Sequence, residues 1–240
     1  RSWSARSLAR STRSTRHGLQ LHRRPLLELL ELYLAQNPEE RICVDHVRQF
    51  VRANPDCFER SCVDGHLTAS AWIVSHDQRR FLLAHHRKLG RWLQLGGHAD
   101  GDTDLVAVAL REAREESGMD EFSVVQPGGL ALPLDLDVHR IPARGAEAEH
   151  LHHDLRFLLV AASDQELRIS SESTDLRWFA RERAAELLGE EGIDEGVGVE
   201  SAQVVHAFAQ SDEADRQAEF ARQREDHPQR QRDRKPHAAE

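Results

Sequence analysis

Apolar residues recur along this chain in two periods, and the switches between them mark out its elements. Leu26, Leu27, Leu29, Leu30, Leu32 and Leu34 predict an apolar helix ending near Asn37-Pro38, because the residue before a proline is pushed away from helical geometry. A second helix is predicted over about residues 41–53, closed by Asn54-Pro55. From Leu67 onward the pattern tightens to short apolar runs. Residues 68–75 and 80–85 predict a hairpin around the turn at 76–79, and Trp92 to Leu95 a short strand that feeds a Gly96-Gly97 turn. Helical spacing then returns over residues 103–117, with Asp102 or Thr103 as the cap and Gly118 as the stop. Further strands are predicted over 122–125, 130–138, 155–161 and 176–179, a helix over 181–188 and one more over 201–210. Helices alternating with such strands imply an α/β fold with a mixed sheet between helical layers.

The helix over 103–117 changes the picture from fold to chemistry. Successive helical residues turn by about 100°, so Glu112, Glu115 and Glu116 fall within one narrow arc beside the apolar stripe of Leu105, Val106, Ala109, Leu110 and Ala113. Like charges three and four residues apart cost a few tenths of a kcal/mol per pair. A divalent cation reverses that sign, since carboxylate oxygens are natural ligands of Mg2+ or Mn2+ and leave room for a substrate's phosphate oxygens.

Gly97, Arg111, Glu112, Ala113, Glu115, Glu116, Gly118 and Met119 stand in the register of the signature box of the Nudix hydrolases, and the stretch resembles that box. Thr103 occupies the place of the family's first glutamate, between Asp102 and Asp104. The resemblance implies a Nudix-type α/β/α sandwich with a mixed sheet, here preceded by an N-terminal helical extension. It implies metal ligation by Glu112, Glu115 and Glu116, with the carbonyl of Gly96 as an added oxygen, and a role for Arg111 in holding a box carboxylate. Glu115 or Glu116 could also serve as the general base. Nudix enzymes often place a base or a further ligand outside the box, and Glu172, just before the strand at 176–179, is the expected one. A Gly-Gly-His opening is also similar to that of isopentenyl diphosphate isomerase, but the cysteine that enzyme needs is replaced here by Leu95-Gly96.

Histidines are the other unusual feature. His98 follows the glycine pair, and His150, His152 and His153 crowd before Asp154 at the head of a strand. They are read as a polar strand end in which His98, His153 and Asp154 line the substrate pocket, in preference to a second metal site.

Composition bounds the rest. The net charge is −9, and the first 24 residues hold seven arginines and no acid, which leaves −16 for residues 25–240. So acidic a body disfavours binding a nucleic-acid polymer, and an anionic substrate would need a cation to offset repulsion. There is no apolar run of membrane-spanning length. Three cysteines without a CxxC pair argue against a disulfide framework and for a cytoplasmic compartment. The expected organisation is a disordered basic leader over 1–24, a helical extension over 25–64, a hydrolase domain over 65–210 and a charged, disordered tail over 211–240. The extension is expected to act as a lid or a homodimer contact. The function expected from these readings together is metal-dependent hydrolysis of a phosphoanhydride bond in a nucleoside diphosphate-linked small molecule, with Mg2+ or Mn2+ as cofactor. A non-catalytic nucleotide-binding module of the same fold is the alternative, although such a module would be expected to have lost box acids.

Overall fold

The computed structural model describes residues 22–126, 129–145 and 147–189; the helix expected over 201–210, the tail and most of the basic leader lie outside these residues. In chain order the described elements are helix α1 (Arg24–Gln36), a 3-10 turn (Pro38–Glu40), α2 (Arg41–Ala53), strands β1 (Gly65–Val74), β2 (Arg80–His86), β3 (Arg91–Leu93) and β4 (Leu95–His98), α3 (Leu105–Ser117), β5 (Phe122–Val124), β6 (Asp135–Ile141), β7 (His150–Ala161), β8 (Ser173–Ala180) and α4 (Arg181–Gly189).

The centre of the sheet is the parallel pair β1 and β7, in register from Gly65 opposite Leu151 to Val74 opposite Val160. Each of these strands divides its outer edge between two antiparallel neighbours. Along β1, residues 68–71 pair with β4 and residues 73–74 with β2. Along β7, the first half pairs with β6 and the last three residues with β5. β3 and β8 complete the sheet beside β2. This mixed sheet between helices is an α/β/α sandwich.

Strand alternation gives the sheet two chemically different faces. Leu67, Ala69, Ala71 and Ile73 of β1, with Leu155 and Phe157 of β7, are fully buried under α2 and α3 in one apolar cluster. Leu26, Leu30 and Tyr33 of α1 and Val44, Val47, Phe50 and Val51 of α2 belong to that same cluster, so the helical preface is packed on the sheet. On the opposite face Trp72, Val74, Phe81, Leu83 and Leu158 pack against Ala184 of α4. Toward the start of β1 and β7 this second face turns polar.

Several expected boundaries move, each for a physical reason. β7 begins at His150 instead of 155, because ten consecutive partners on β1 hold the His-rich segment in the ladder whatever its own propensity. β6 runs over 135–141 rather than 130–138, since Pro133 has no N–H to give a ladder. The run at 92–95 is split between β3 and β4, and Gly96-Gly97 lie within β4 instead of forming a turn. The reversal comes later, at Asp100 and Gly101 with φ of 50° and 84°. The cap of α3 is Asp104, whose carboxylate accepts from the N–H groups of Val106 and Ala107 at 3.1 Å, while Asp102 accepts from the Asp104 N–H at 2.9 Å. Such a cap contributes about 1 kcal/mol. Gly118 closes the helix with φ of 72°, as expected.

Candidate active site

The acid edge of α3 is fixed by what the helix buries. Leu105, Val108, Ala109 and Ala113 face the sheet, which leaves Glu112 and Glu116 half-buried beside β4 and Glu115 exposed on the outer side. β4 can come so close because Gly96 and Gly97 have no side chains. A Cβ on Gly97 would stand 2.5 Å from the carboxyl carbon of Glu112, and one on Gly96 would collide with Ser70 of β1. The glycine pair is thus a close-approach device: it lets the helix acids lie directly against the strand. The Gly96 backbone favours the charged form of the Glu116 carboxyl. Arg111 donates through Nη2 to Glu112 Oε1 at 2.8 Å and to the His98 carbonyl at 2.7 Å, tying α3 to the end of β4.

Glu172 arrives from the loop before β8. Arg87, at the end of β2, clamps that loop by donating to the carbonyls of Ser171 at 2.9 Å and Ser173 at 2.7 Å, while its own N–H donates to the Glu172 carbonyl at 2.8 Å. The Glu172 charge acts on both Glu112 and Glu116. Arg60 pairs through two nitrogens with Asp100 at 2.5 and 2.7 Å, on the rim where the fields of Glu112 and Glu172 also reach it.

Electrostatically this is a strained cluster. Burial, then the negative charges of Glu112 and Glu172, push the Glu116 carboxyl up to about 8 despite the Gly96 backbone. Burial also raises Glu112, with the Arg111 hydrogen bond opposing it. Desolvation and mutual repulsion of neighbouring carboxylates both favour their neutral forms, and a cation among them would reverse that preference.

The histidines separate by strand alternation. His152 and His153 are adjacent and point to opposite faces. His153 is fully buried on the apolar face, its ring stacked on Phe50 of α2 with centroids 3.7 Å apart and His46 at 5.4 Å on the same ring. Burial, then His46, lowers its pKa to about 3. Asp154 is buried on the polar face and its oxygens are taken: Thr68 and Ser70 donate to it at 2.8 Å each and Arg156 Nε at 3.1 Å. The contacts of both side chains are with these groups, so the structure does not bring His153 and Asp154 together with Glu112, Glu116 and Glu172. The His98 carbonyl belongs to the acid site, whereas its ring lies on the polar face of the sheet with His66 and His152. His66, at the start of β1, escaped the reading of the sequence. A lone histidine before an apolar strand carries no signal until the β1–β7 register sets it opposite His152. Arg87 and Arg60 were equally silent, as ordinary charged residues of a turn and a loop.

Behind His152 on the polar face lies a buried ionic network. The Arg156 guanidinium donates to Asp135 at 2.8 Å, to Asp154 at 3.1 Å and to Asp137, which also pairs with His139 Nδ1 at 2.9 Å. Burial raises Asp135 to about 7 against the pull of Arg156, whereas in Asp137 the bonds from His139 and Arg156 outweigh burial and hold the carboxyl down.

Comparison with known proteins places these features in a family. The family model described as the NUDIX domain matches residues 65–197. No curated protein matches the chain. Among solved structures, a binary complex of the Ap4A hydrolase of C. elegans is similar at 17% identity, over 60% of this chain and 94% of that one, with a TM-score of 0.45. A NUDIX-family hydrolase from Clostridium perfringens is similar at 22% identity over 60% and 97% of the two chains, TM-score 0.41. The MutT protein from Methanosarcina mazei Go1 is similar at 17% identity over 62% and 95%, TM-score 0.39.

Proposed function

The chain belongs to the NUDIX family and is an enzyme of the pyrophosphohydrolase type, and on that premise we propose that it cleaves a phosphoanhydride bond in a nucleoside diphosphate-linked or related diphosphate small molecule. The observation that carries the reading is the acid edge of α3 set against the glycine strand, with the Glu112 carboxylate lying where a Gly97 Cβ would stand; burial, then the charges of Glu112 and Glu172, push Glu116 up to about 8. That donor set fits a hard divalent cation: oxygens only, anionic, half-buried and partly open on the Glu115 side. Glu112, Glu115 and Glu116 would hold Mg2+ or Mn2+, which supplies charge neutralisation on phosphate oxygens and a more acidic bound water.

The remaining work falls to side chains. Arg111 holds Glu112 in orientation and cannot itself lose its charge. The Arg87 clamp presents Glu172 to the acid edge, where it would take the proton of the attacking water. Arg60, already committed to Asp100, adds positive field at the rim toward a polyanionic substrate.

The test is phosphate and nucleotide release from nucleoside diphosphate sugars, dinucleoside polyphosphates and nucleoside triphosphates, with Mg2+, with Mn2+ and in EDTA. Turnover of at least one compound that vanishes in EDTA is expected; no turnover anywhere, or turnover indifferent to metal, overturns the proposal. Glu172→Gln is expected to lower kcat by about 10² to 10³ with little change in KM, the size of a lost general base. Near-normal kcat would remove Glu172 from the mechanism. Gly97→Ala should displace the Glu112 carboxylate and cost about 100-fold in kcat/KM. A far-UV spectrum like that of the parent would show that the loss is local.

A further inference from the structure

A second cluster, on the other face of the sheet from α3, is not used by this chemistry. His66 of β1, His98 of β4 and His152 of β7 each offer a ring nitrogen, and these three atoms lie within 4.8 Å of one another. We propose that His66, His98 and His152 form a site for a zinc-class transition-metal ion, distinct from the carboxylate site on α3.

Three observations carry this. First, the backbone sets the rings together: His66 is in register with His152, and Thr68, two residues on, is in register with His98, so all three side chains leave neighbouring strands on one face. Second, His66 Nε2 and His152 Nε2 are 3.1 Å apart. Tetrahedral Zn–N bonds of about 2.1 Å place ligand nitrogens about 3.4 Å apart, so two ligands already stand near coordination spacing and the third lies within 4.8 Å of them. Third, His66 is 2% exposed and its ring is held in place by packing with His98, His150 and His152, at 4.8 Å between centroids in each case.

The donor type selects the metal. Neutral imidazoles suit zinc, copper, nickel or iron and are poor ligands for Mg2+, which keeps oxygen partners. Three histidines leave a fourth position open, and His98 and His152, unlike His66, are partly exposed. Behind them lie two further histidines, His139, bonded to Asp137 with its ring 5.3 Å from that of His152, and His150, bonded to the Ala148 carbonyl at 2.9 Å.

The two sites are separable by experiment. The full chain, stripped with chelator and dialysed, is titrated with Co2+ or Zn2+ in the presence of excess Mg2+. One equivalent of Co2+ showing the strong visible absorption of four-coordinate geometry is expected, displaced by Zn2+. His66→Asn and His152→Gln, made separately so that one misfolded variant does not decide the matter, should each weaken binding by about 100-fold or more. Glu112→Gln should leave it unchanged. The proposal is overturned if Co2+ gives only a weak, six-coordinate spectrum, if both histidine variants bind as the parent does, or if binding is lost in Glu112→Gln.

Discussion

Glu116→Gln is expected to abolish turnover and at the same time to stabilise the metal-free protein at alkaline pH. Glu116 is held at about 8 in the fold against an ordinary carboxyl value of 4.5. A group whose folded pKa is raised binds its proton more tightly folded than unfolded. The stability this gives is complete below the unfolded value and drains away as pH rises through about 8. Metal-free parent protein should therefore lose stability between pH 5 and pH 9, by an amount on the order of 2–4 kcal/mol. Glutamine cannot ionise and should remove most of that slope. The same substitution removes a ligand oxygen from the acid edge, and kcat is expected to fall by at least about 10³, or about 4 kcal/mol of barrier. Urea unfolding in EDTA at the two pH values, beside turnover in Mg2+, reads both effects. A variant with the parent's pH slope and near-parent kcat would show that this carboxyl is not the pivot of the site.

Arg156→Met should be the most destabilising single change on the polar face. Arg156 is 5% exposed and is the shared partner of Asp135, Asp137 and Asp154. Methionine fills much of the volume but leaves those acids without their guanidinium, and removing one partner of a buried ion pair costs about 3–5 kcal/mol. For a chain of this size that corresponds to about 10 °C in Tm. The deficit should narrow toward pH 4, where protonation relieves the orphaned carboxylates: their folded pKa values rise in the variant, so the folded state gains protons and stability as pH falls. A Tm within 2 °C of the parent at neutral pH, by calorimetry, would mean that the network contributes no net stability.

The apolar periods carried most of the fold. The apolar run of 68–74 and the 3.6-residue stripe of 105–113 are local properties, and both elements formed. The acid trio was equally visible, because spacing along a helix fixes direction. The rest depended on which strands become neighbours. Nothing local tells that His152 faces His66 while His153 stacks on Phe50, or that the glycine pair lies inside a strand because Glu112 and Ser70 occupy the space a Cβ would need. Nor does the sequence tell that Thr68, Ser70 and Arg156 will close on Asp154.

The parallel pairing of β1 with β7 joins segments 86 residues apart, as in the bond from Thr68 to Asp154. Contacts of that separation bear a large loop-closure entropy and form late, whereas the hairpins and α3 can organise early. The contact of His66 with His152 and the bonds from Thr68 and Ser70 to Asp154 therefore form only when this seam closes, whereas Arg156 meets Asp135 and Asp137 within the β6–β7 hairpin. A refolding chain that has made its helices but not this central seam would show much of its circular dichroism while still exposing Leu155 and Phe157, and it is in that interval that dilution or a chaperone would matter most for recovering native enzyme.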